Sequence, residues 1–364
     1  MKLLTPFYGK HLEHGAKMID VRSWQLASVY TSVEEEYRMV REHAGFVDYS
    51  FQSAIAVAGK DAFTLLQKVL VNDLRRISPG KAIYSSMLDE TGKILDDGVL
   101  FWVEEKLFIF NGGFTQRPTT EWLKQNAPGL EVAIIETGMC FVALQGPKSR
   151  DILQKAVDLK GLPYFSLKQD KLGEIPALIA RAGFSGELGY ELFVYPEYAY
   201  ELWDALVELG KEYNVGPYGM GVTAILGMEK GYVGPSVFYE GSTPLEVGLG
   251  WTVAFDKGDF IGKEALLKRR SEGLKTKLMG FEVADPKVIA SAKDNLLKEG
   301  KVVGQVLGNG VYGPTVGKSL GRGWVEIKYA NEGDELELEH EGKRATIRLA
   351  RPRWYDPENK IVRG

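Results

Sequence analysis

At 364 residues, with 45% apolar and 26% charged side chains, the chain has a globular composition and is too long for one ordinary hydrophobic core. Its 45 basic side chains against 49 acidic ones leave a net charge of −4, which argues against a nucleic-acid surface or a membrane-attracted face. No apolar run approaches the roughly 18–20 residues of a membrane span. The N-terminus MKLLTPFYGKHLEHG lacks the apolar stretch of a signal peptide, so a cytoplasmic location is expected.

In chain order, the first helix signal is Ser32 followed by Glu35 three residues on, a capping pattern that continues with Tyr37, Met39 and Val40 at helical spacing and stops at Gly45. His11 and His14 stand at a spacing that puts two ligands on one helical face, but no third ligand is evident, and a solvated N-terminal helix is expected. Residues 46–49 and 53–58 read as strands and 60–70 as an amphipathic helix. A hairpin follows, with strand-like residues 84–88 and 94–102 on either side of the turn Asp89-Glu90-Thr91-Gly92. Its second strand holds two adjacent carboxylates, Asp96 and Asp97, which strand alternation sends to opposite faces. Aspartate is depleted in strands, and a carboxylate on a buried face is costly unless paired, so one of the two is expected to have a use.

Residues 106–110 read as a strand broken by Asn111-Gly112-Gly113, a helix around Trp122 leads to Pro128, and strands are expected at 132–136 and 139–144. The single cysteine, Cys140, reads as a small buried hydrophobe; it excludes an intramolecular disulfide and any multi-cysteine metal site, and no metal is expected. A helix at 149–157, a strand at 176–180 and a glycine-rich turn lead to a strand in which Tyr190, Leu192 and Val194 alternate with Glu191 and Phe193. A long helix at 198–213 comes next. The sequence Gly216-Pro217-Tyr218-Gly219-Met220-Gly221 does not have the G-x-G-x-x-G spacing and follows no strand, so it is not read as a nucleotide loop. After Trp251 come a helix at 260–272 and short strands at 278–283, 302–307, 320–325, 336–339 and 345–349, the pattern of a small antiparallel barrel or sandwich. The fold class is α+β rather than doubly wound.

With these segments in order, the chain resembles the glycine-cleavage T-protein family, the folate-dependent aminomethyltransferases. The residues carrying the resemblance are 71–74 (VNDL), 80–84 (GKAIY), 91–97 (TGKILDD), 143–147 (ALQGP), 183–191 (GFSGELGYE), 243–251 (TPLEVGLGW), 259–265 (DFIGKEA) and 313–319 (GPTVGKS). In 223–233 (TAILGMEKGYV) and 355–360 (YDPENK) it is similar to the folate domains of dimethylglycine and sarcosine oxidases and dehydrogenases, without room for their flavin module. The resemblance implies a three-domain cloverleaf: residues 1–50 with 140–250, residues 51–139, and a C-terminal linker helix with a barrel over 251–364. It implies tetrahydrofolate as one-carbon acceptor, Asp97 as the catalytic carboxylate, and Glu191 as the residue that hydrogen-bonds the pterin. Tyr84, Asn111, Tyr164 and Phe184 fall on pocket positions. Arg353 is a candidate for the anionic folate tail, and Asp96 becomes a structural neighbour.

Two departures shape the functional expectation. The family's Gly-Ala-Arg-Asp reads Gly221-Val222-Thr223-Ala224, and its later Arg-Leu-Glu reads Gly227-Met228-Glu229. Both point away from the standard glycine-cleavage reaction and its lipoyl carrier protein. They lead us to expect methyl or methylene transfer to tetrahydrofolate from a methylated small molecule. The aminomethyltransferase of glycine cleavage is the alternative. A non-catalytic folate-binding factor is the third reading; its Lys-Gly-Cys-Tyr-x-Gly motif has as nearest counterpart residues 230–234 (KGYVG), without the cysteine.

Overall fold

The computed structural model describes residues 2–114, 118–233 and 241–364. Among these, the strands form two five-stranded antiparallel sheets, a two-stranded ribbon and a seven-stranded sheet. In the first five-stranded sheet the order is Leu167–Leu172, Ile175–Ala180, Gly189–Val194, Cys140–Gln145 and Gly45–Asp48. Every residue of Gly189–Val194 and Cys140–Gln145 is buried, because both faces of this sheet are covered. Val142, Leu144, Tyr190 and Leu192 point one way, toward Trp203 and Leu206 of helix Ala199–Leu209. Phe141, Ala143, Leu178 and Phe193 point the other way, into a core shared with the second sheet.

That second sheet runs Lys81–Leu88, Ile94–Glu104, Leu107–Phe114, Gln52–Ala58 and Ala133–Glu136. One face packs Ile55, Val57, Leu100, Phe108 and Phe110 on helix Ala62–Val69, and the other contributes Ala54, Ala82, Phe101 and Ile109 to the shared core. Phe101 and Phe193 meet edge to face at 5.5 Å across it. Polar side chains on these inner faces therefore lie on the core side of their sheets. Six strands of the C-terminal sheet close into a barrel, because Thr276–Val283 pairs with both Lys343–Ala350 and Lys318–Glu326.

Most expected elements are present, with four corrections. The strand thought to break at Asn111-Gly112-Gly113 runs on as Leu107–Phe114. The glycines serve a close approach: a Cβ on Gly112 would lie 2.6 Å from Asp96 Oδ2. His11 is not solvated but buried, with Nε2 2.9 Å from Asp48 and Nδ1 2.7 Å from the Tyr30 hydroxyl. The helix expected over 149–157 is only Ser149–Leu153. The ribbon Lys17–Val21 with Trp24–Val29, and helix Met220–Lys230, were not anticipated. Gly219, at the start of that helix, donates its N–H to Glu36 Oε2 (2.9 Å), so the glycine-rich loop binds a carboxylate of the protein itself.

Candidate active site

Cross-strand register fixes which hairpin residues share a face. Ser86 lies opposite Asp97, Tyr84 opposite Val99, and Val99 opposite Asn111, so Tyr84, Asp97, Val99 and Asn111 all point inward. The Tyr84 hydroxyl donates to Asp97 Oδ2 at 2.5 Å, and Asp97 remains partly exposed. Asp96 lies on the opposite side of the pleat and is 1% exposed. It accepts from the N–H groups of Asp97 and Gly113 at 2.9 and 3.1 Å and from the Thr119 hydroxyl at 2.5 Å. Asp96 is thus an internal anchor for three neighbouring segments, whereas Asp97 is presented to the interior space. Asn111 is 5% exposed; its amide donates to Gln52 at 3.3 Å while its Oδ1 has no hydrogen-bond partner among the described residues.

On the facing sheet Glu191 lies opposite Ala143 and Ala180, on the inward side. It is 7% exposed, its Oε2 has no hydrogen-bond partner among the described residues, and burial pushes its carboxyl up to about 7. Tyr49, Tyr164, Tyr218 and Tyr232 surround it: burial raises all four phenols first, and the nearby Glu191 charge adds to the rise. Phe184 stacks on Tyr232 with ring centroids 4.9 Å apart, and Tyr164 packs on Phe165 at 4.8 Å. Phe165 holds φ of +57°, a backbone state that a bulky side chain seldom adopts, beside this aromatic wall.

The structure also accounts for the two departures. A Cβ on Gly227 would stand 2.6 Å from the Phe184 ring, so this aromatic occupies the space a side chain would need. Thr223 accepts from the Tyr49 hydroxyl and donates to Gly219 O, each at 3.3 Å. Arg353 is exposed, with its backbone beside Gly231 at the end of helix Met220–Lys230, while Arg351 pairs with Glu332 at 3.1 Å. Within 230–234, Lys230 forms a buried ion pair with Asp356 (2.9 Å), and Gly234 lies outside the described residues.

Sequence reasoning missed a buried ionic network behind the aromatic wall. Arg41 donates to Glu187 Oε1 (2.8 Å), Ser185 O (3.0 Å) and Glu229 Oε2 (2.6 Å), and its guanidinium lies 3.8 Å from the centre of the Tyr355 ring. Tyr37 donates to Glu229 at 2.6 Å, Thr315 N–H donates to the same carboxylate at 3.2 Å, and Tyr355 donates to Glu187 at 2.5 Å. The network joins the first long helix, the 183–191 turn, helix Met220–Lys230, the barrel and the C-terminal segment. Glu187 and Glu229 both lie in stretches that carried the family resemblance, which was the available signal. Among the described residues no group of three or more His, Cys, Asp or Glu converges as a metal site requires, and no helix is long and apolar enough to cross a membrane.

Asp97 and Glu191 thus lie on the inward faces of two sheets, with a closed barrel in the same chain. Residues 7–257 match the GCVT N-terminal domain family and residues 276–356 the glycine cleavage T-protein C-terminal barrel domain, so the chain belongs to the glycine-cleavage T-protein family. It is 36% identical to an aminomethyltransferase from Halothermothrix orenii, covering 92% of this chain and 94% of that one. A Thermotoga neapolitana aminomethyltransferase is 35% identical, with 96% and 97% covered. The crystal structure of the glycine cleavage system aminomethyltransferase T from Bartonella henselae superposes with a TM-score of 0.88 at 26% identity, covering 96% of this chain and 97% of that one.

Proposed function

We propose that this chain is a tetrahydrofolate-dependent aminomethyltransferase of the glycine-cleavage type, taking its one-carbon unit from an aminomethylated lipoyl carrier protein, with ammonia and the carrier's dihydrolipoyl thiol as leaving groups. This reading replaces transfer from a free methylated molecule as the first choice, because the relatives that match along nearly the whole chain are aminomethyltransferases. The observation that carries it is the pair of inward carboxylates, Asp97 held by Tyr84 and Glu191 with an oxygen to spare. A pterin presents a flat ring with an edge of N–H donors; Glu191 Oε2 near Tyr164 and Tyr232, and Asn111 Oδ1 on the facing sheet, both without a hydrogen-bond partner among the described residues, fit that group, with Phe184 stacked on Tyr232. When bound, tetrahydrofolate supplies the nitrogens that accept the one-carbon unit.

The chain's own groups do the rest. Asp97, oriented by the Tyr84 hydroxyl, stabilises positive charge developing on the transferred carbon and its amine and holds a proton in transit. Glu191 and the aromatic wall orient the acceptor, and Arg353 meets its anionic tail. Thr223 and Gly227 favour a second reading, transfer from a methylated small molecule, since both stand where the family resemblance expects arginine. Formation of methylene-tetrahydrofolate from an aminomethylated lipoyl carrier, measured beside a panel of methylated amines, decides between the two. Absence of tetrahydrofolate binding by calorimetry would remove both.

Glu191 also makes a pH prediction. Burial raises its carboxyl to about 7, above the ordinary glutamate value of 4.5, so folding favours the protonated form. The stability it contributes is fully present below about pH 4.5 and is lost as pH rises through about 7. Denaturant melts at pH 5 and pH 8 are expected to show the parent losing stability across that window and Glu191→Gln losing less, with weaker tetrahydrofolate binding in the variant. A parent and a variant of equal slope would refute this protonation.

A further inference from the structure

The segment 241–252 runs across the Asp97 hairpin. Ile94 N–H donates to Ser242 O at 3.0 Å, and Leu278 N–H donates to Glu246 O at 2.9 Å. Val247, Leu249 and Val253 are buried with Leu88 and Ile94, and the Thr252 hydroxyl donates to Leu249 O at 2.7 Å. This rigid belt ends in a short turn, Gly250–Thr252, whose central residue is left outside: Trp251 is 61% exposed, and of the seven tryptophans it alone is classed as exposed. Its ring stacks on Tyr84 with centroids 6.2 Å apart and planes 21° apart, and Tyr84 is the residue whose hydroxyl holds Asp97. The indole lies in water against the ring of the residue whose hydroxyl holds Asp97. Indole, phenol and carboxylate thus form a strip from solvent to the site.

We propose that Trp251 is the donor-side specificity residue, the platform on which the aliphatic, sulfur-bearing arm of the one-carbon donor lies while its terminal carbon reaches Asp97. The inference rests on the aminomethyltransferase reading. The surface offered beside Asp97 is an indole and a phenol ring, which suits an aliphatic arm; residues 241–256 contain no lysine or arginine of their own, Lys93 approaches the Gly241 end, and Arg269 is paired with Glu246 at 3.5 Å. Arg353, assigned above to the folate tail, has its backbone beside Gly231. An aromatic face also receives a cation formed at the end of such an arm.

The test uses the full chain and dihydrolipoamide as the probe. Acrylamide quenching of the parent's tryptophan fluorescence should fall as dihydrolipoamide is added, and the effect should be absent in Trp251→Phe. In turnover with the aminomethylated carrier, Trp251→Ala should raise the donor KM about tenfold, with kcat within about threefold and tetrahydrofolate affinity within about twofold; Trp251→Phe should recover most of the loss. No protection of the parent by dihydrolipoamide overturns the proposal, as does an unchanged donor KM in Trp251→Ala. Protection together with turnover from methylated amines, but none from the carrier, overturns the aminomethyltransferase reading instead. A weakened tetrahydrofolate affinity with an unchanged donor KM assigns Trp251 to the acceptor and also overturns the proposal.

Discussion

Asp97→Asn is expected to lower turnover by about 10²–10³-fold while leaving tetrahydrofolate affinity within a few-fold of the parent. The substitution keeps the shape of the side chain and an oxygen for the Tyr84 hydroxyl, so the hairpin should stay folded. On the proposed function it removes the negative charge that would meet the developing cation and the group that would accept the proton. Asp96→Asn should behave differently. Its carboxylate holds Gly113, Thr119 and the Asp97 amide, so its loss should appear first as a lower Tm and only indirectly in turnover. Single-turnover kinetics and thermal melts on the two variants separate the roles. Undiminished turnover in Asp97→Asn with folate still bound would remove Asp97 from the chemistry.

Arg41→Ala should destabilise the protein by about 3–5 kcal/mol, because it leaves buried carboxylates uncompensated rather than removing a pair together. The side chains of Glu187 and Glu229 are 2% and 0% exposed, so water cannot replace the guanidinium at either without rearrangement. Glu187 sits in the turn that presents Phe184 and leads to Glu191, so the loss should also weaken tetrahydrofolate binding. Tyr355→Phe removes one charge-assisted hydrogen bond to Glu187 and should cost roughly 1.5–3 kcal/mol. Urea melts of the three proteins give the order directly. Equal midpoints for Arg41→Ala and the parent would show that the network carries no net stability.

Local pattern made the hairpin, the Ser32 cap and the barrel strands legible, since each is written in residues a few positions apart. The Glu35 N–H does donate to the Ser32 hydroxyl, at 3.2 Å. Alternation also required Asp96 and Asp97 to face opposite ways, but it carries no phase: which one points inward depends on Gly113 and Thr119, residues of later segments. The Arg41 network was illegible for a stronger reason, because its partners lie 146 and 188 positions away. Helix Met220–Lys230 was hidden by Gly221, Thr223 and Gly227, which depress helix propensity and are tolerated because tertiary packing outweighs it. Gly227 is there for the ring of Phe184, a contact that no local reading supplies.

The strand Gly45–Asp48 has a consequence for how the protein is made. It pairs with Cys140–Gln145 on one side and bridges through Phe46 to Pro217 on the other, while the strands of the second sheet, from Gln52 to Glu136, are continuous in the chain before either partner. During synthesis the second sheet can therefore close on the ribosome while Phe46 and Val47 still wait, unpaired, for residues not yet translated. A nascent chain paused before Cys140 carries an open apolar edge, and chaperones are most needed in that interval.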